Sequence, residues 1–505
     1  MKPAAPAPPR APRWQWVAAA ALILAAAAIL VLRFLVFWPK DQWQVDVEVY
    51  RQAGESILIG RPVYAALTEA PQLLPFTYPP FAAVLAIPLA LLPFGLVGWL
   101  WTAAQIAATT GIVWYAGYRL IHAGGRVRPL VLGLLAAPMF WLHPVGDGIR
   151  FGQVNAFIVL ACLMDLRRPR PRVLAGVAPG VLVGLAMAVK LTPGVFVVHY
   201  LLNRRWREAG TAIGTAALAW GGAFLLLPEA SLVFWGGALQ DPARLGPNMG
   251  TSNQSIRGVL MRIGPDGVAG VALWLALAAV VAAYGFALAR RAWRAGDTVT
   301  EVATVGLLAC LLSPVAWIHH FHWMVVVILA VLGGGVAATR SGGSAGGVDP
   351  DSASDRASDG ARGSAVPPAS GGLVPPASGG LVPPASGGAV PPAGGGAVPA
   401  THGRADGTAA RVGLGGIRLD RARVLAALAL TIWWTCRLPW WGITWIANGW
   451  PPILAGRLLQ NADLIGALLA LALLAWALDR DRPVDPRLSS SPGLVLFSRT
   501  NRRGK

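Results

Sequence analysis

The sequence is short of charged side chains. Asp, Glu, Lys and Arg make up only 13% of its 505 residues, about half of the roughly 25% typical of soluble proteins. Hydrophobic residues account for 55%, and the mean hydropathy is +0.55. These values exclude an ordinary soluble enzyme, and they indicate that the bilayer is the solvent for most of the chain.

Cysteine is also scarce. Cys162, Cys310 and Cys436 lie far apart in apolar stretches, so they exclude a disulfide scaffold and form no CxxC pair. The motifs GxxxxGK(S/T) and HExxH are absent. Their absence removes the usual phosphate loop and zinc helix from consideration.

The chain carries an excess of positive charge. It has 42 Lys and Arg against 23 Asp and Glu, which gives a net charge of +19. In a soluble protein this excess would suggest nucleic-acid binding. Here the arginines cluster between apolar runs, which is the positive-inside pattern of a multipass membrane protein. We therefore expect a plasma-membrane protein that contacts lipids and no nucleic acid. The clusters placed in the cytoplasm are Arg119–Arg128, Arg167–Arg172, Arg204–Arg207, Arg290–Arg294, Arg340, Arg421–Arg423 and Arg480.

The first part of the chain predicts a membrane module. A basic, Pro-rich cytoplasmic tail at 1–16 precedes transmembrane segments over 17–338. The run 17–37 is interpreted as the first crossing rather than a signal peptide, because no small-residue cleavage site follows it. Residues 38–78 then form a first extracytoplasmic loop, and residues 229–265 form a large outer loop.

The second part begins with low-complexity sequence. Residues 339–422 contain an eight-residue repeat, first seen at Ala365–Gly372, that is rich in Pro, Gly and Ser. Such a repeat has no apolar face to bury and predicts a disordered cytoplasmic linker. C-terminal transmembrane segments at 423–480 and a basic cytoplasmic tail at 481–505 follow.

Two segments do not fit a plain crossing. Pro79–Pro93 is apolar, but a full pass there would put Arg119–Arg128 outside, so we expect a short hairpin or an interfacial helix. Residues 173–203 are long enough for two short passes. Pro and Gly in Lys190-Leu-Thr-Pro-Gly194 predict a helix break between them, with Lys190 near the outer face.

Three groups of polar residues fall on that outer side. Asp46 is placed to serve as a general base for a sugar hydroxyl; a helix cap or a solvated loop acid is the alternative. Lys190 suits a lipid phosphate, and snorkelling to the headgroups is its alternative. His319 and His320 are able to hydrogen-bond a phosphate or a sugar, or to pack at the interface. Adjacent histidines on a helix diverge by about 100° and chelate poorly, so we expect no metal site.

Further polar residues flank these groups. The segment Phe76-Thr-Tyr-Pro-Pro80 predicts a rigid re-entry into the membrane, Gly152-Gln-Val-Asn155 places two amides at a helix entrance, and Asn253-Gln-Ser255 indicates an outer loop that closes over a substrate or is simply polar. The candidate substrate-binding residues are Tyr50, Tyr78, Gln153, Asn155, Asn253, Gln254 and Arg257.

Taken in order, these pieces resemble glycosyltransferase family 87, the polyprenol-phosphate-mannose-dependent mannosyltransferases of mycobacteria and their relatives. The resemblance covers about residues 40–325 and does not extend to the linker. The matching pieces are Asp46…Tyr50, Gly60-Arg-Pro-Val-Tyr64, Phe76-Thr-Tyr-Pro-Pro80, Gly152-Gln-Val-Asn155, Lys190-Leu-Thr-Pro193, Asn253-Gln-Ser255 and Ser313-Pro-Val-Ala-Trp-Ile-His-His320.

The resemblance implies a C-type glycosyltransferase fold, an all-α polytopic bundle with an extracytoplasmic active site. It implies that Asp46 is the catalytic base and that Lys190, His319 and His320 contact the donor phosphate. The implied reaction moves a mannosyl residue, with inversion, from a polyprenyl-phosphate donor to a glycolipid or lipoglycan acceptor. We expect no cofactor and no metal, because a lipid monophosphate leaving group carries less charge than a nucleotide diphosphate.

Two alternatives remain at this stage. The same fold is able to use another polyprenyl-phosphate sugar, such as arabinofuranose. A protein of a different class, a lipid-linked sugar flippase or transporter, would use Lys190 and the broken helix to line a pathway.

Overall fold

The computed structural model describes residues 11–167, 172–333, 411–414, 417–449 and 453–480. Helices form nearly all of the regular structure in these ranges, which confirms the predicted all-α class. The first sixteen helices are α1 (Arg13–Phe37), α2 (Val45–Leu58), α3 (Pro80–Ala90), α4 (Phe94–Ala116), α5 (Tyr118–Ala123), α6 (Arg128–Met139), α7 (His143–Phe151), α8 (Asn155–Leu166), α9 (Val181–Val189), α10 (Gly194–Leu202), α11 (Trp206–Leu226), α12 (Pro228–Gly236), α13 (Ile256–Ile263), α14 (Gly267–Arg294), α15 (Thr298–Leu311) and α16 (Met324–Leu332). An antiparallel pair, β1 (Arg411–Leu414) and β2 (Ile417–Asp420), precedes α17 (Arg421–Thr435), α18 (Leu438–Ala447), α19 (Ile453–Gln460) and α20 (Ala462–Arg480).

Five described helices are long and apolar enough to cross a bilayer: α1, α4, α11, α14 and α20. The segment Gly125–Met139, which contains α6, and α7 together form a sixth candidate span, bent by 78°. Helix α8 has 12 residues and α15 has 14, fewer than the roughly 20 that a bilayer crossing needs. The chain is a multipass helical membrane protein.

The first predicted outer loop, 38–78, contains a 14-residue helix, α2, which the loop prediction missed. Val45, Val49 and Ala53 recur every four residues and are buried, so this helix has an apolar face. That face packs on α3. At Gly54 an added Cβ would lie 2.5 Å from the Ala86 carbonyl oxygen, so the two helices need glycine there to approach this closely.

The predicted linker ends earlier than expected. Residues 339–410 of it lie outside the described ranges, but β1, β2 and the start of α17 fall within its predicted span of 339–422. Asp420 begins α17 because its carboxylate accepts the Ala422 N–H at 2.9 Å, which is an N-cap. Arg480 Nε donates to the same carboxylate at 2.7 Å. The C-terminal helices therefore start at Arg421 rather than at 423.

The centre of the molecule is α16. Every residue from Met324 to Val331 is buried, and this helix packs against α4, α15, α17 and α20. Helices from before and after the predicted linker thus share one apolar core. Around it, a break from Lys190 to Pro193 separates α9 from α10, as predicted. The segment Pro79–Pro93, for which the sequence predicts a short hairpin or an interfacial helix, contains the single short helix α3.

Candidate functional site

Asp46 lies in the first turn of α2, shortly after α1 ends. Gln44, just before the helix, has a left-handed backbone with φ of 61°. Its Nε2 donates to Thr102 Oγ1 at 2.8 Å and to the Ile149 carbonyl oxygen at 3.1 Å. Its backbone N–H donates to the Arg150 carbonyl oxygen at 2.8 Å. These bonds fix Asp46 relative to α4 and the end of α7.

A tight turn brings Gln153 to Asp46. Helix α7 ends at Gly152, whose φ is +76°, and a Cβ added there would lie 2.2 Å from Val47 Cγ2. Only glycine allows this conformation so close to α2. The Gln153 side chain hydrogen-bonds the Asp46 carboxyl group. Gln105, buried on α4, holds the turn because its Nε2 donates to the Gln153 carbonyl oxygen at 2.7 Å.

Two tyrosines extend this group. The hydroxyls of Tyr50 and Tyr78 lie 3.1 Å apart, and Tyr78 OH donates to Gln153 Oε1 at 3.3 Å. Because Gln153 Oε1 accepts from Tyr78, the Gln153 Nε2 is the atom that donates to Asp46. Four residues singled out in the sequence, Asp46, Gln153, Tyr78 and Tyr50, therefore form one connected group.

Lys190 reaches the same place from the break after α9. Its Nζ lies 3.1 Å from Asn155 Oδ1, 3.0 Å from His320 Nε2 and 5.4 Å from the centre of the Tyr78 ring. Asn155 Nδ2 donates to the His319 carbonyl oxygen at 2.9 Å. Lys190 also acts electrostatically on Asp46. Helices α2, α8 and α9 and the segment Ile318–Trp323 thus each contribute to one polar cluster.

His320 and Lys190 direct hydrogen-bond donors at each other. The Trp317 backbone N–H donates to His320 Nδ1 at 3.2 Å, so a neutral His320 carries its proton on Nε2. That proton then faces the Lys190 amine. A protonated Lys190 keeps Asn155 Oδ1 as an acceptor but meets the His320 N–H donor to donor. An anion beside both groups would accept from both.

The other histidines differ in their surroundings. His319 packs edge-on against Phe151, with ring centres 5.7 Å apart, and its buried Nε2 contacts no hydrogen-bond partner among the described residues. His322 is buried on the opposite side of the segment, where its Nε2 lies 3.3 Å from Thr109 Oγ1. The structure therefore brings His319 and His320 to the cluster and places His322 in the packing against α4.

The predicted outer-loop residues contact the framework around the site. Asn253 Oδ1 accepts the Ala316 N–H at 3.0 Å and the Ser255 N–H at 3.2 Å. Gln254 is fully buried, and its amide bonds to backbone atoms at 251, 460 and 464. Arg257 lies over the Trp274 ring at 5.3 Å. The structure does not bring these three to Asp46, and Asn253 instead holds the segment that carries the histidines.

An apolar cavity of about 470 Å³ opens beside the cluster. Tyr50 and Tyr78 form its polar end, and the remaining wall is aliphatic and aromatic. Its shape is that of a groove between α3, α8 and α9. It is lined by Tyr50, Tyr78, Ala82, Leu85, Ala86, Leu89, Trp101, Val154, Phe157, Ile158, Ala161, Leu182, Leu185, Ala186 and Val189.

The electrostatics of Asp46 suit a base. Burial removes water from the carboxyl group and raises its pKa from an ordinary 3.8 to about 6. The Gln153 hydrogen bond and the charge of Lys190 act in the opposite direction. Among the described residues, no three His, Cys, Asp or Glu side chains are grouped to hold a metal ion; independence from metal stays a prediction.

The sequence reasoning missed the residues that support the site. The sequence analysis does not select Gln105. A lone amide within the apolar run of α4 nevertheless indicates a side chain that satisfies a buried backbone group. Trp101 and Phe157 were also missed. Their rings are 5.2 Å apart and form part of the cavity wall, but nothing in an apolar helix distinguishes a cavity-lining aromatic from one that faces lipid.

The fold and the comparisons with known proteins together define a membrane-bound glycosyltransferase. Residues 76–314 match the model of "Glycosyltransferase family 87". The chain belongs to this family, as its curated relatives also show, and the predicted family and enzyme class are confirmed. No solved structure matches the chain.

Two relatives illustrate the similarity. A Mycobacterium tuberculosis protein is 34% identical over 333 residues, which are 61% of this chain and 74% of the relative; it is named polyprenol-phosphate-mannose-dependent alpha-(1-2)-phosphatidylinositol mannoside mannosyltransferase. A Mycolicibacterium smegmatis protein is 34% identical over 347 residues, 66% of this chain and 80% of the relative. Its name specifies the phosphatidylinositol pentamannoside.

Proposed function

We propose that this protein transfers a mannosyl residue from polyprenyl-phosphate-mannose to a phosphatidylinositol mannoside or a related lipoglycan at the outer face of the membrane. The names of its relatives support the donor and the acceptor class. The observation that carries the proposal is the meeting of the Asp46 carboxylate with Lys190 and His320 beside a long apolar cavity.

The donor fits this arrangement part by part. A prenyl chain is apolar and suits the 470 Å³ groove between α3, α8 and α9. A phosphate oxygen would lie beside Lys190 Nζ and His320 Nε2, which are 3.0 Å apart, and would accept from both donors. The phosphate leaves as an anion, so donors already directed at its oxygens stabilise the charge that develops in the transition state. We expect this stabilisation to suffice without a divalent metal.

Asp46 would remove the proton from the attacking acceptor hydroxyl. Gln153 Nε2 holds the carboxylate in one orientation, and the raised pKa makes Asp46 a stronger base than an exposed aspartate while leaving it ionised at neutral pH. With one base and no second carboxylate in the cluster, we expect a single displacement. A β-linked donor would then give an α-linked product.

The charge pattern supports an outward-facing site. Helix α1 has 25 residues, which is about 37 Å at 1.5 Å per residue and long enough to cross the bilayer. Its first residue is Arg13, and Asp46 follows its other end. If the basic end is cytoplasmic, Asp46 and the groups bonded to it lie outside.

The proposal is tested by reconstituting the purified protein in lipid with labelled polyprenyl-phosphate-mannose and a panel of phosphatidylinositol mannosides. We expect label in at least one mannoside, and continued transfer after chelation of divalent metals. Transfer from a polyprenyl-phosphate pentose instead of mannose would contradict the proposed donor. Movement of intact donor across the bilayer without any transfer would contradict the proposed reaction.

The raised pKa of Asp46 predicts the pH profile. Since the ionised form is the base, kcat/KM should fall as pH drops through about 6, whereas an unperturbed aspartate would retain activity to about pH 4. Gln153→Met removes a hydrogen bond that lowers this pKa, so its acid limb should move to higher pH. This role would be contradicted if the wild-type kcat/KM fell only near pH 4, or if the fall in the Gln153→Met variant moved to lower pH.

A further inference from the structure

A second buried polar cluster lies where α7 meets the C-terminal helices. His143 Nε2 is 3.2 Å from Asp147 Oδ2, and His143 Nδ1 is 3.9 Å from Asp463 Oδ2 on α20. Arg437, just before α18, places its Nη1 3.5 Å from Asp147 Oδ1. Trp440 Nε1 donates to His143 Nε2 at 3.2 Å. The mechanism proposed above uses none of these residues.

Two arginines of this cluster share one aromatic ring. The Arg150 guanidinium lies 4.3 Å from the centre of the Trp38 ring and 4.0 Å from that of Phe151, and Arg437 lies 5.1 Å from Trp38. Arg150 is 5% exposed, and its Nε and Nη1 contact no acceptor among the described residues. A buried guanidinium with unpaired donors is costly unless a partner completes it.

The carboxylates of the cluster leave donors of Arg150 unpaired. Asp147 acts on both guanidinium groups, and Asp463 faces the other nitrogen of His143 and also acts on Arg437. Neither carboxylate hydrogen-bonds Arg150 Nε or Nη1, so these two donors leave room for one further anion. Arg437 keeps partial exposure, with 15% of its side chain accessible, so the cluster is open on that side.

This cluster adjoins Asp46 on a different flank from the apolar groove. The Arg150 carbonyl accepts the Gln44 N–H at 2.8 Å, and Phe151 contacts His319. Trp38 follows α1 directly, which puts it at headgroup depth. The groove is lined mainly from α3, α8 and α9, whereas the arginines come from α7 and the start of α18. The donor lipid and the acceptor lipid are therefore able to bind on different sides of Asp46.

We propose that Arg150 and Arg437 bind the phosphodiester of the acceptor phospholipid, with Trp38 and Trp440 beside its headgroup. This inference rests on the proposed function. A phosphodiester presents two non-bridging oxygens, which a guanidinium binds through two parallel hydrogen bonds, and it gives the unpaired Arg150 donors an acceptor. The C-terminal helices then contribute to acceptor recognition, because Arg437, just before α18, packs against Asp147 of α7.

The test measures binding and transfer with two acceptors, a phosphatidylinositol mannoside and an alkyl α-mannoside that has no phosphate. Arg437→Gln should weaken binding of the phosphatidylinositol mannoside by about tenfold, as expected for a lost charged hydrogen bond. Its kcat/KM with the alkyl mannoside should equal that of the wild type. Arg437→Lys keeps the charge but loses the pair of parallel hydrogen bonds that a guanidinium donates. Its affinity for the phosphatidylinositol mannoside should fall between those of Arg437→Gln and the wild type.

The matched control is Arg457→Gln, which removes one positive charge from α19 but contacts Gln460 instead of the cluster; we expect wild-type affinity for both acceptors. Equal losses on both acceptors in Arg437→Gln, or no loss on either, would overturn the proposal. Binding is measured without donor, so it decides the role of Arg437 even for a protein that transfers no mannose. Failure of transfer to both acceptors in the wild type would count against the proposed function instead.

Discussion

Asp46→Asn is expected to lower kcat for mannosyl transfer by about 10³-fold, within the 10²–10⁴-fold range of general-base catalysis. The amide keeps the size of the carboxylate and is still able to bond Gln153, but it takes no proton from an acceptor hydroxyl. Lys190 and His320 are untouched, so donor binding should change by less than about twofold. Single-turnover transfer and equilibrium binding of polyprenyl-phosphate-mannose measure the two effects separately.

Glu48→Gln is the matched control. Glu48 lies on the same helix two residues later, and in the described part of the chain its carboxylate accepts the Glu69 N–H, at 3.4 Å. Removing this charge should leave transfer near the wild-type rate. If Asp46→Asn retained transfer, or if both variants lost it equally, Asp46 would not be the base.

Lys190→Met should show the opposite pattern, with weakened donor binding and a kcat/KM reduced by about 100-fold, the size of effect seen when one donor to a developing anion is removed. The methionine fills the same space without the ammonium group that faces His320 Nε2. Lys190→Arg restores a cation in a bulkier form, so we expect activity between that of the methionine variant and the wild type.

Arg51→Gln serves as the control for loss of a cation. Arg51 pairs with Glu55 on the exposed side of α2, at 3.3 Å, and surface pairs of this kind contribute little. Its donor affinity should match that of the wild type. Unchanged donor affinity in Lys190→Met would show that the lysine merely snorkels to the headgroups and does not hold the phosphate.

Much of the site was predictable because polar and helix-breaking residues are easily recognised within apolar membrane segments. A lysine beside Pro193 and Gly194 in an apolar run marked the helix break, and the structure has it there. The segment Gly152-Gln-Val-Asn155 predicted two amides at a helix entrance, and α8 begins at Asn155. Each of these residues is costly in hydrocarbon or in a helix, so its presence alone indicates a special position.

What the sequence did not reveal depends on packing between distant segments. The sequence predicts a loop where α2 forms, because the burial of α2 depends on its packing against α3. Arg437 and Asp463 were unremarkable beyond the linker, yet they pair with residues of α7 that are about 300 positions earlier in the chain. The outer-loop amides of Asn253 and Gln254 were singled out for ligand binding, but backbone groups satisfy them. The spacing of residues in the sequence does not distinguish an amide that binds a ligand from one that bonds to the backbone.

The configuration of the newly formed bond tests the central claim most directly. The wild-type protein is given a β-mannosyl phosphate donor and a phosphatidylinositol mannoside acceptor, and the anomeric configuration of the added mannose is read by NMR from its one-bond carbon–proton coupling. A single displacement assisted by Asp46 yields an α-mannoside. A product that keeps the β-configuration would require a covalent intermediate, for which the cluster holds no second carboxylate, and would contradict the account.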